Sequence, residues 1–387
     1  MHILFLLLLL LAGLVGWFLG RKFIPHQPKR NAENFSKDYF IGLNYLLNEQ
    51  PDEAVDVFIR MLEVDSNTVE THMALGSLFR RRGETDRAIR IHQNVIARPN
   101  LPKEQRVQAL QELGRDYMVA GVFDRAERLF LEAVESDTQH RLQSLHYLLD
   151  VYEREKDWFA ALEIAQQLQR QIKIDKGKAI AHYYCEIIED PRNHLSLEQS
   201  NKYLQLALQA DKNCIRAGLL KAKQYLQEQD YKNASKLYRR LIKQDAAFIP
   251  KIMPLLEETY RQLDDMKGLI DYLYKQISAE SQPQPLLMVM LAKKLQVWHG
   301  TQAAVDFLTQ RLPEDPSLPG MEYLLALQAK ALQGKEQQGV ALLENIVRGL
   351  MLEKAKYLCE HCGFSGKQLH WLCPSCRRWG TIKPLAT

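Results

Sequence analysis

The strongest constraint on the fold is a pattern of small and aromatic residues that recurs about every 34 residues. Each copy has a small residue, an aromatic residue three positions later, and an alanine in the segment that follows. The first three copies have these residues at Gly42, Tyr45 and Ala54, at Gly76, Phe79 and Ala88, and at Gly114, Tyr117 and Ala126. An insertion near residues 98–102 lengthens the third step to 38 residues. A period of this length predicts a stack of similar helix pairs.

The residue types suit the packing of two antiparallel helices. The small residue lets the helices approach, the aromatic residue fills the space beside them, and the alanine accepts its ring. A bulky residue four positions after the alanine completes each copy, and it is Phe58, His92 or Phe130 in the first three. A copy over residues 181–211 needs an insertion around residues 190–195, and copies near residues 252–276, 287–312 and 323–350 keep little more than the length of a helix pair. We therefore predict eight or nine helix pairs over residues 35–350.

This pattern resembles the tetratricopeptide repeat. The resemblance implies a solenoid whose first helices line an inner face that binds peptides or protein surfaces. Candidate lining residues are Asn44, Arg80, Arg115, Asp116 and Asp150. The alternative for each of them is an ordinary solvated position on the surface.

The C-terminal segment carries two C-x-x-C pairs, Cys359 with Cys362 and Cys373 with Cys376. Each pair can place two thiolates on one side of a tight turn, and two facing turns form a tetrahedral four-sulfur site. Gly363 follows the second cysteine, where a positive φ is often needed. Because so short a segment cannot bury enough apolar surface to fold alone, we predict that a metal ion supplies much of its stability.

This segment resembles the rubredoxin-type metal ribbon in Tyr357, the CEHCG turn, Trp371 and the CPSC turn. It departs from electron-carrying rubredoxins in its shorter arm and in Arg377, which stands where they usually have glycine. Four thiolates suit either iron or zinc, so both metals and both a structural and a redox role stay open. Four cysteines fill a tetrahedral site, so His361 and His370 are interpreted as bystanders. Two disulfides or free thiols are the alternative to a metal site.

Charge and motifs narrow the functional classes. With 51 basic and 47 acidic residues, the net charge of +4 does not indicate nucleic acid binding. The sequence contains no H-E-x-x-H, phosphate-loop or G-x-S-x-G motif, so we predict that the chain is not an enzyme. Cys185 and Cys214 have apolar neighbours in helical patterns and are predicted to be packed thiols.

The N-terminus begins with an unbroken apolar run over residues 3–19. A helix over residues 1–20 reaches about 30 Å, the hydrocarbon thickness of a bilayer. Arg21 and Lys22 follow at once, so the positive-inside rule places the rest of the chain in the cytoplasm. A cleaved signal peptide is the alternative, but it requires positive charge before the apolar run.

The predicted architecture is an all-α tetratricopeptide-repeat solenoid with an N-terminal transmembrane helix and a small C-terminal four-cysteine metal ribbon. Its segments are an anchor at residues 1–20, a tether at 21–34, the repeat array at 35–350 and the ribbon at 351–387. Because almost no linker precedes the ribbon, we expect it to fold back on the final helix pair.

The whole layout is similar to the lipopolysaccharide assembly protein B family of Gram-negative bacteria. The resemblance is carried by the start MHILFLLLLLLAGLVGWFLGRK, the repeats, the AHYYCEI stretch at residues 181–187 and the ending RRWGTIKP. It implies an inner-membrane adaptor that restrains lipopolysaccharide synthesis. Such an adaptor promotes degradation of the committed-step deacetylase by a membrane-anchored AAA+ zinc protease, and an inner-membrane lipopolysaccharide-sensing protein opposes it. Electron transfer or RNA binding through the metal ribbon is the alternative function.

Overall fold

The computed structural model describes residues 69–136, 140–172, 176–279, 285–352 and 355–385, together with individual positions between 40 and 57. Sixteen α-helices are described in full, and we number them from Val69 onward. Among the described residues, no helix combines the length and apolar character needed to cross a membrane. The predicted anchor at residues 1–20 and the tether at 21–34 lie outside the described residues.

The described residues fall into two compact units, divided between Glu155 and Lys156. The first unit contains helices α1 (Val69–Arg81), α2 (Thr85–Ile96), α3 (Lys103–Ala120), α4 (Phe123–Ser136) and α5 (Arg141–Glu155). Each helix packs against the next, and α3 also packs against both α1 and α5. This is the neighbour-to-neighbour stacking that the sequence repeat predicts.

Two glycines show why the first position of each copy is small. A Cβ atom added at Gly76 would lie 2.4 Å from the His92 ring, and one at Gly114 would lie 2.5 Å from the Phe130 ring. The repeat alanines of the two pairs, Ala88 and Ala126, are both fully buried. The predicted close approach of the two helices is therefore confirmed in both pairs.

The second unit contains eleven helices among the described residues. They are α6 (Trp158–Ile172), α7 (Gly177–Glu189), α8 (Leu197–Ala210), α9 (Ile215–Gln227), α10 (Tyr231–Gln244), α11 (Ile249–Gln262), α12 (Met266–Ala279), α13 (Pro285–His299), α14 (Thr301–Arg311), α15 (Leu318–Ala331) and α16 (Gly334–Leu352). The predicted insertion near residues 190–195 is confirmed as a 3-10 helix, Pro191–Asn193. Ser196 then starts α8 through a capping box with Gln199.

The copies with weak signatures also form helix pairs. Their helices share one apolar core that extends from Ile215 of α9 to Leu327 of α15. Successive residues of α13, from Leu287 to Ala292, are all buried, because this helix is covered on more than one side. Apolar burial thus maintains the helix-pair architecture where the signature residues are lost.

The ribbon belongs to the second unit and forms an antiparallel three-stranded sheet. Its strands are β1 (Tyr357–Cys359), β2 (Ser365–Gly366) and β3 (Ile382–Pro384), in the order β2-β1-β3. Its own buried core consists of Cys359, Cys373 and Ile382. Two of these three residues are cysteines, so the ribbon has little apolar burial with which to stabilise itself.

Candidate metal centre and ribbon docking surface

The four predicted cysteines come together in the ribbon. Their sulfur atoms all lie within 4.8 Å of one another. The Sγ atoms of Cys359 and Cys376 are 3.8 Å apart, and those of Cys362 and Cys373 are 3.7 Å apart. A regular tetrahedron with metal–sulfur bonds of about 2.3 Å has sulfur–sulfur edges of about 3.8 Å. Two of the six edges of the cage therefore have the length that a tetrahedral metal ion requires.

The two C-x-x-C turns have the same backbone hydrogen bonds. The N–H of Gly363 donates to the carbonyl of Cys359 at 3.0 Å, and the N–H of Arg377 donates to that of Cys373 at 2.9 Å. The last residue of each turn has a positive φ, 76° for Gly363 and 52° for Arg377. The conformation predicted for Gly363 is confirmed. Arg377 adopts the same conformation. Because arginine has a Cβ atom, the left-handed region is less favourable in free energy for it than for glycine.

Local donors favour thiolates at the first cysteine pair. The hydroxyl of Thr381, whose Oγ1 lies 3.3 Å from Cys359 Sγ, and backbone N–H groups hold the pKa of the Cys359 thiol at about 6. The backbone N–H of Phe364 lowers the pKa of Cys362. Burial acts in the opposite direction on Cys373 and raises its pKa to about 11. A positive ion among the sulfurs would favour the thiolate form of all four cysteines.

The donor set fits the metal that the rubredoxin-like ribbon implies. All four cysteines are free thiols, since their sulfurs are far beyond the length of about 2.05 Å of a disulfide bond. Neither His361 nor His370 belongs to the cluster, and His370 instead packs against the Phe364 ring. Iron and zinc both accept four thiolates in this arrangement.

The ribbon is attached to the helices by two tryptophans. Trp379 is buried, and its ring packs edge-on against Trp158 of α6 at 5.8 Å and against Tyr183 of α7 at 5.7 Å. It also stacks on the ring of His182 at 5.0 Å. Trp371 lies parallel to Phe248 at 5.7 Å, with an interplanar angle of 9°.

The expectation that the ribbon folds back on the final helix pair is wrong. Its ring contacts are with α6, α7 and the 3-10 helix Ala246–Phe248, and strand β3 contacts that 3-10 helix as well. Lys383 of β3 also forms an ion pair with Asp245. The two tryptophan rings bury a large apolar area against aromatic partners. The free energy gained by this burial explains why the ribbon docks on these helices and not on the helix pair that precedes it in the sequence.

Charged groups surround the docked ring of Trp371. Arg216 lies over its face, with Cζ 5.8 Å from the ring centroid. Two carboxylates hold this guanidinium, Glu186 at 2.7 Å and Glu189 at 2.6 Å. Helix α7 therefore holds the stacked arginine in place. The fixed guanidinium defines where the Trp371 ring can dock, in addition to the apolar contacts of that ring.

A polar cavity of about 380 Å³ remains beside the docked ribbon, lined by His182, Gly380 and Lys383 among others. His182 is 4% exposed, and its Nδ1 has no hydrogen-bond partner within the described protein atoms. Burial, with Arg216 and Lys178 nearby, lowers the pKa of His182 to about 3, so this ring is neutral in the folded protein. The short separation between Gly380 and the His182 ring explains why a glycine follows Trp379, since an added Cβ would lie 3.1 Å from Nε2.

Sequence reasoning missed these docking residues, although it noted the stretch AHYYCEI and Trp371. The available signal was the pair of tryptophans in a ribbon that has no core in which to bury them. The predicted packed thiols Cys185 and Cys214 are confirmed, since both are buried.

Two of the candidate inner-face residues are not surface residues. Asp116 is fully buried, where it accepts from Arg80 Nη1 at 2.7 Å and lies 2.5 Å from His92 Nδ1. Arg80 is 8% exposed and also pairs with Glu112 at 2.5 Å. The prediction is wrong for this pair, because burial and mutual pairing make them part of the packing between helices.

The other three candidates are at least partly exposed. Arg115 lies over the Tyr147 ring at 5.8 Å and pairs with Glu112. Asp150 pairs with Arg154 at 3.1 Å, and Asn44 is exposed. These three remain predictions for a binding face.

Two family matches agree with the geometry. Residues 357–384 match the family described as rubredoxin metal binding domain, and residues 71–105 match the tetratricopeptide repeat. The fold and the four-sulfur site therefore define a tetratricopeptide-repeat protein with a metal-binding ribbon at its C-terminus.

Full-length relatives specify the family. The chain is 35% identical over 380 residues to lipopolysaccharide assembly protein B of Escherichia coli (strain K12), which covers 98% of this chain and 97% of that protein. It is 33% identical over 391 residues to the protein of the same name from Haemophilus influenzae, with the same coverage. The chain belongs to the lipopolysaccharide assembly protein B family.

A solved structure of MamA covers 44% of this chain and 95% of its own, at 20% identity and a TM-score of 0.34. A TM-score this low does not establish a shared arrangement of the repeats.

Proposed function

We propose that this protein is an inner-membrane adaptor that restrains lipopolysaccharide synthesis. It presents the committed-step deacetylase to a membrane-anchored AAA+ zinc protease, which degrades the deacetylase. The observation that carries this proposal is the full-length match to relatives named lipopolysaccharide assembly protein B, which includes the repeats and the ribbon together. Tetratricopeptide arrays supply protein-binding surfaces, so the proposed role is recognition rather than catalysis.

The ribbon is proposed to extend that binding surface. Cys359, Cys362, Cys373 and Cys376 would hold one iron or zinc ion, which supplies a cross-link between the two turns and leaves no open coordination position. With both turns fixed, Trp371 and Trp379 keep the ribbon on α6, α7 and the 3-10 helix. Loss of the metal would then unfold the ribbon and expose the helix surface on which it docks, while the helices stay folded.

Residues 1–20 are proposed to anchor the chain in the inner membrane, with its bulk in the cytoplasm. Confinement to the membrane raises the effective concentration of the adaptor beside a membrane protease. The inner-membrane lipopolysaccharide-sensing protein would oppose the adaptor from the same membrane. Without residues 1–20 the adaptor would bind the same partners but deliver the deacetylase poorly.

A crosslinked pull-down from native membranes tests the adaptor function. Full-length protein is compared with a variant in which Ser replaces all four ribbon cysteines and with a form lacking residues 1–20. We expect the wild type to retain both the protease and the deacetylase, and the cysteine variant to lose at least one of them. If the wild type retains neither, the adaptor function is wrong, although the metal site and the repeats are unaffected by that result.

Electron transfer is a second candidate, because Cys362 is exposed and would bring a bound metal close to the surface. Voltammetry of the metal-loaded protein tests it. A reversible iron couple at a physiological potential supports electron transfer, whereas a zinc-loaded native protein excludes it.

A further inference from the structure

A depression between α10 and α12 is surrounded by positive charge. Five cations line it, together with Tyr272 and Gln276, and it encloses about 450 Å³. The five cations are Lys236, Arg239, Arg240 and Lys243 of α10 and Lys275 of α12. Both helices are the second members of consecutive helix pairs, whereas the predicted inner face is lined by first helices.

Within the described part of the chain, none of these five cations is paired with a carboxylate, and no acidic side chain lines the depression. Arg239 does contact Tyr272, with Cζ 5.9 Å from the ring centroid. The chain as a whole is nearly balanced, with 51 basic and 47 acidic residues. The local excess of positive charge is therefore a property of this site rather than of the protein's composition.

The cluster is unfavourable for the isolated helix. Lys236 and Arg240 are four residues apart, as are Arg239 and Lys243, so like charges face each other along one side of α10. Such pairs destabilise a helix by about 0.2–0.5 kcal/mol each. Local stability therefore does not explain the arrangement, and an anionic ligand would relieve the repulsion.

We propose that this depression binds an acidic segment of a partner protein. Lys236 and Lys243 are about 10 Å apart along the helix axis, a distance that an extended segment covers in about three residues. Arginine guanidinium groups match carboxylates in bidentate geometry, and Arg239 is already held over an aromatic ring. Four of the cations line one wall of the depression and Lys275 lines the other, so an extended polypeptide lying in it contacts both walls.

This inference rests on the proposed adaptor function, since it assigns a partner chemistry to one face of the repeats. It does not say which of the proposed partners carries the acidic segment, and the metal site has no part in it. Failure of a binding assay with a synthetic peptide would remove the acidic-segment site and leave the pull-down result untouched.

The test measures binding of a fluorescently labelled peptide of alternating glutamate and alanine to the full-length protein in neutral phosphatidylcholine nanodiscs. The neutralised variant carries Lys236→Gln, Arg239→Gln, Arg240→Gln and Lys243→Gln. We expect it to bind the peptide about tenfold more weakly than the wild type, since exposed ion pairs each contribute about 0.2–1 kcal/mol. Wild-type binding should also weaken as ionic strength rises from about 0.01 M to about 0.15 M, where the Debye length falls from about 30 Å to about 8 Å.

A matched variant removes the same charge elsewhere. It carries Gln at four exposed lysines outside the depression, Lys202, Lys212, Lys251 and Lys267. We expect this control to bind the peptide as the wild type does. Equal loss of binding in both variants overturns the proposal, because overall charge rather than this depression would then determine peptide binding. Absence of binding to the wild type overturns it as well.

Thermal unfolding separates a binding role from a structural one. The neutralised variant should melt at the wild-type temperature or above it, because like-charge repulsion is removed. If the neutralised variant melts at a lower temperature, the binding assay is repeated with the single variant Arg240→Glu. The proposal fails if this charge reversal does not weaken peptide binding. Competition completes the test: if a soluble short-chain phosphatidylglycerol or an oligonucleotide displaces the peptide better than unlabelled peptide does, the site recognises lipid or nucleic acid instead.

Discussion

The helical array and the ribbon obtain their stability in different ways. Seven helices of the second unit, α9 to α15, share one apolar core whose buried residues extend from Ile215 to Leu327. The ribbon buries Cys359, Cys373 and Ile382 within itself and places its two large aromatic side chains on the helices. A metal ion and a docking surface thus replace the core that the ribbon lacks. The two regions should respond differently to the same kind of damage.

Replacing Cys373 with Ser should have the largest effect, and the unfolding that it causes should be confined to the ribbon. A structural four-ligand site contributes about 10–16 kcal/mol of apparent binding free energy at neutral pH. We expect loss of bound metal by elemental analysis and rapid proteolysis within residues 355–385, with helical circular dichroism almost unchanged. Ser375→Ala, in the same turn but not a ligand, is the control. If helicity falls as much as ribbon protection does, the two regions are not independently stabilised.

Replacing Trp379 with Ala should detach the ribbon without removing its metal. Truncation of a buried tryptophan costs about 3–5 kcal/mol, and here the lost contacts are those with Trp158 and Tyr183. Hydrogen exchange should rise on α6 and α7 while metal content stays stoichiometric. Unchanged exchange on these helices would contradict docking through Trp379.

Replacing Gly114 with Leu should damage the array and spare the ribbon. The new side chain would meet the Phe130 ring, to which even a Cβ lies 2.5 Å away. Overpacking of this kind costs about 3 kcal/mol, seen as a lower unfolding temperature with metal retained. Gly339→Ala is the control, since nothing lies within 4 Å of its added Cβ and alanine favours a helix interior by about 1 kcal/mol.

Acid should weaken the contact between the two regions through His182. Its pKa is lowered to about 3 in the folded state from an ordinary value of 6.5, so protonation favours the unfolded state. Stability is complete above pH 6.5 and falls as the pH drops toward 3, by about 2 kcal/mol at about pH 5. His182→Phe removes the titrating group, so urea unfolding of this variant should lose less stability over that range. Identical pH profiles would assign the acid sensitivity to other groups.

Arg377→Gly should have the smallest effect and the opposite sign. Arg377 has a φ of 52°, the conformation that Gly363 adopts in the matching turn. Glycine removes a strain of about 1 kcal/mol, so the metal-loaded ribbon should resist chelation slightly longer. Gly363→Arg makes the reverse change and should shorten that time.

Much of the architecture follows from the sequence alone. The helix pairs are predictable from the spacing between Gly76 or Gly114 and its partner ring, because a small residue at that position indicates that two helices approach closely there. The four-sulfur cage follows from the spacing of the cysteines, because each pair lies within one turn and needs no distant contact. Both signals are local.

The docking site and the buried ion pairs depend on contacts between distant residues. Nothing near Trp379 in the sequence indicates that Tyr183 would receive it. Asp116 is fully buried, and its carboxylate lies beside His92, which stands where the next copy has Phe130. A histidine where the neighbouring copies have Phe58 and Phe130 was a local sign that a polar partner would be buried with it.

We propose that the metal-held ribbon must be docked on α6 and α7 for the protein to direct degradation of the deacetylase. The most direct measurement is the half-life of the deacetylase after protein synthesis is stopped, in cells that produce either the wild type or the Trp379→Ala variant at equal levels. We predict a longer half-life with the variant, even though its metal is retained. Equal half-lives with a ribbon shown to be detached would mean that docking of the ribbon has no part in the adaptor function.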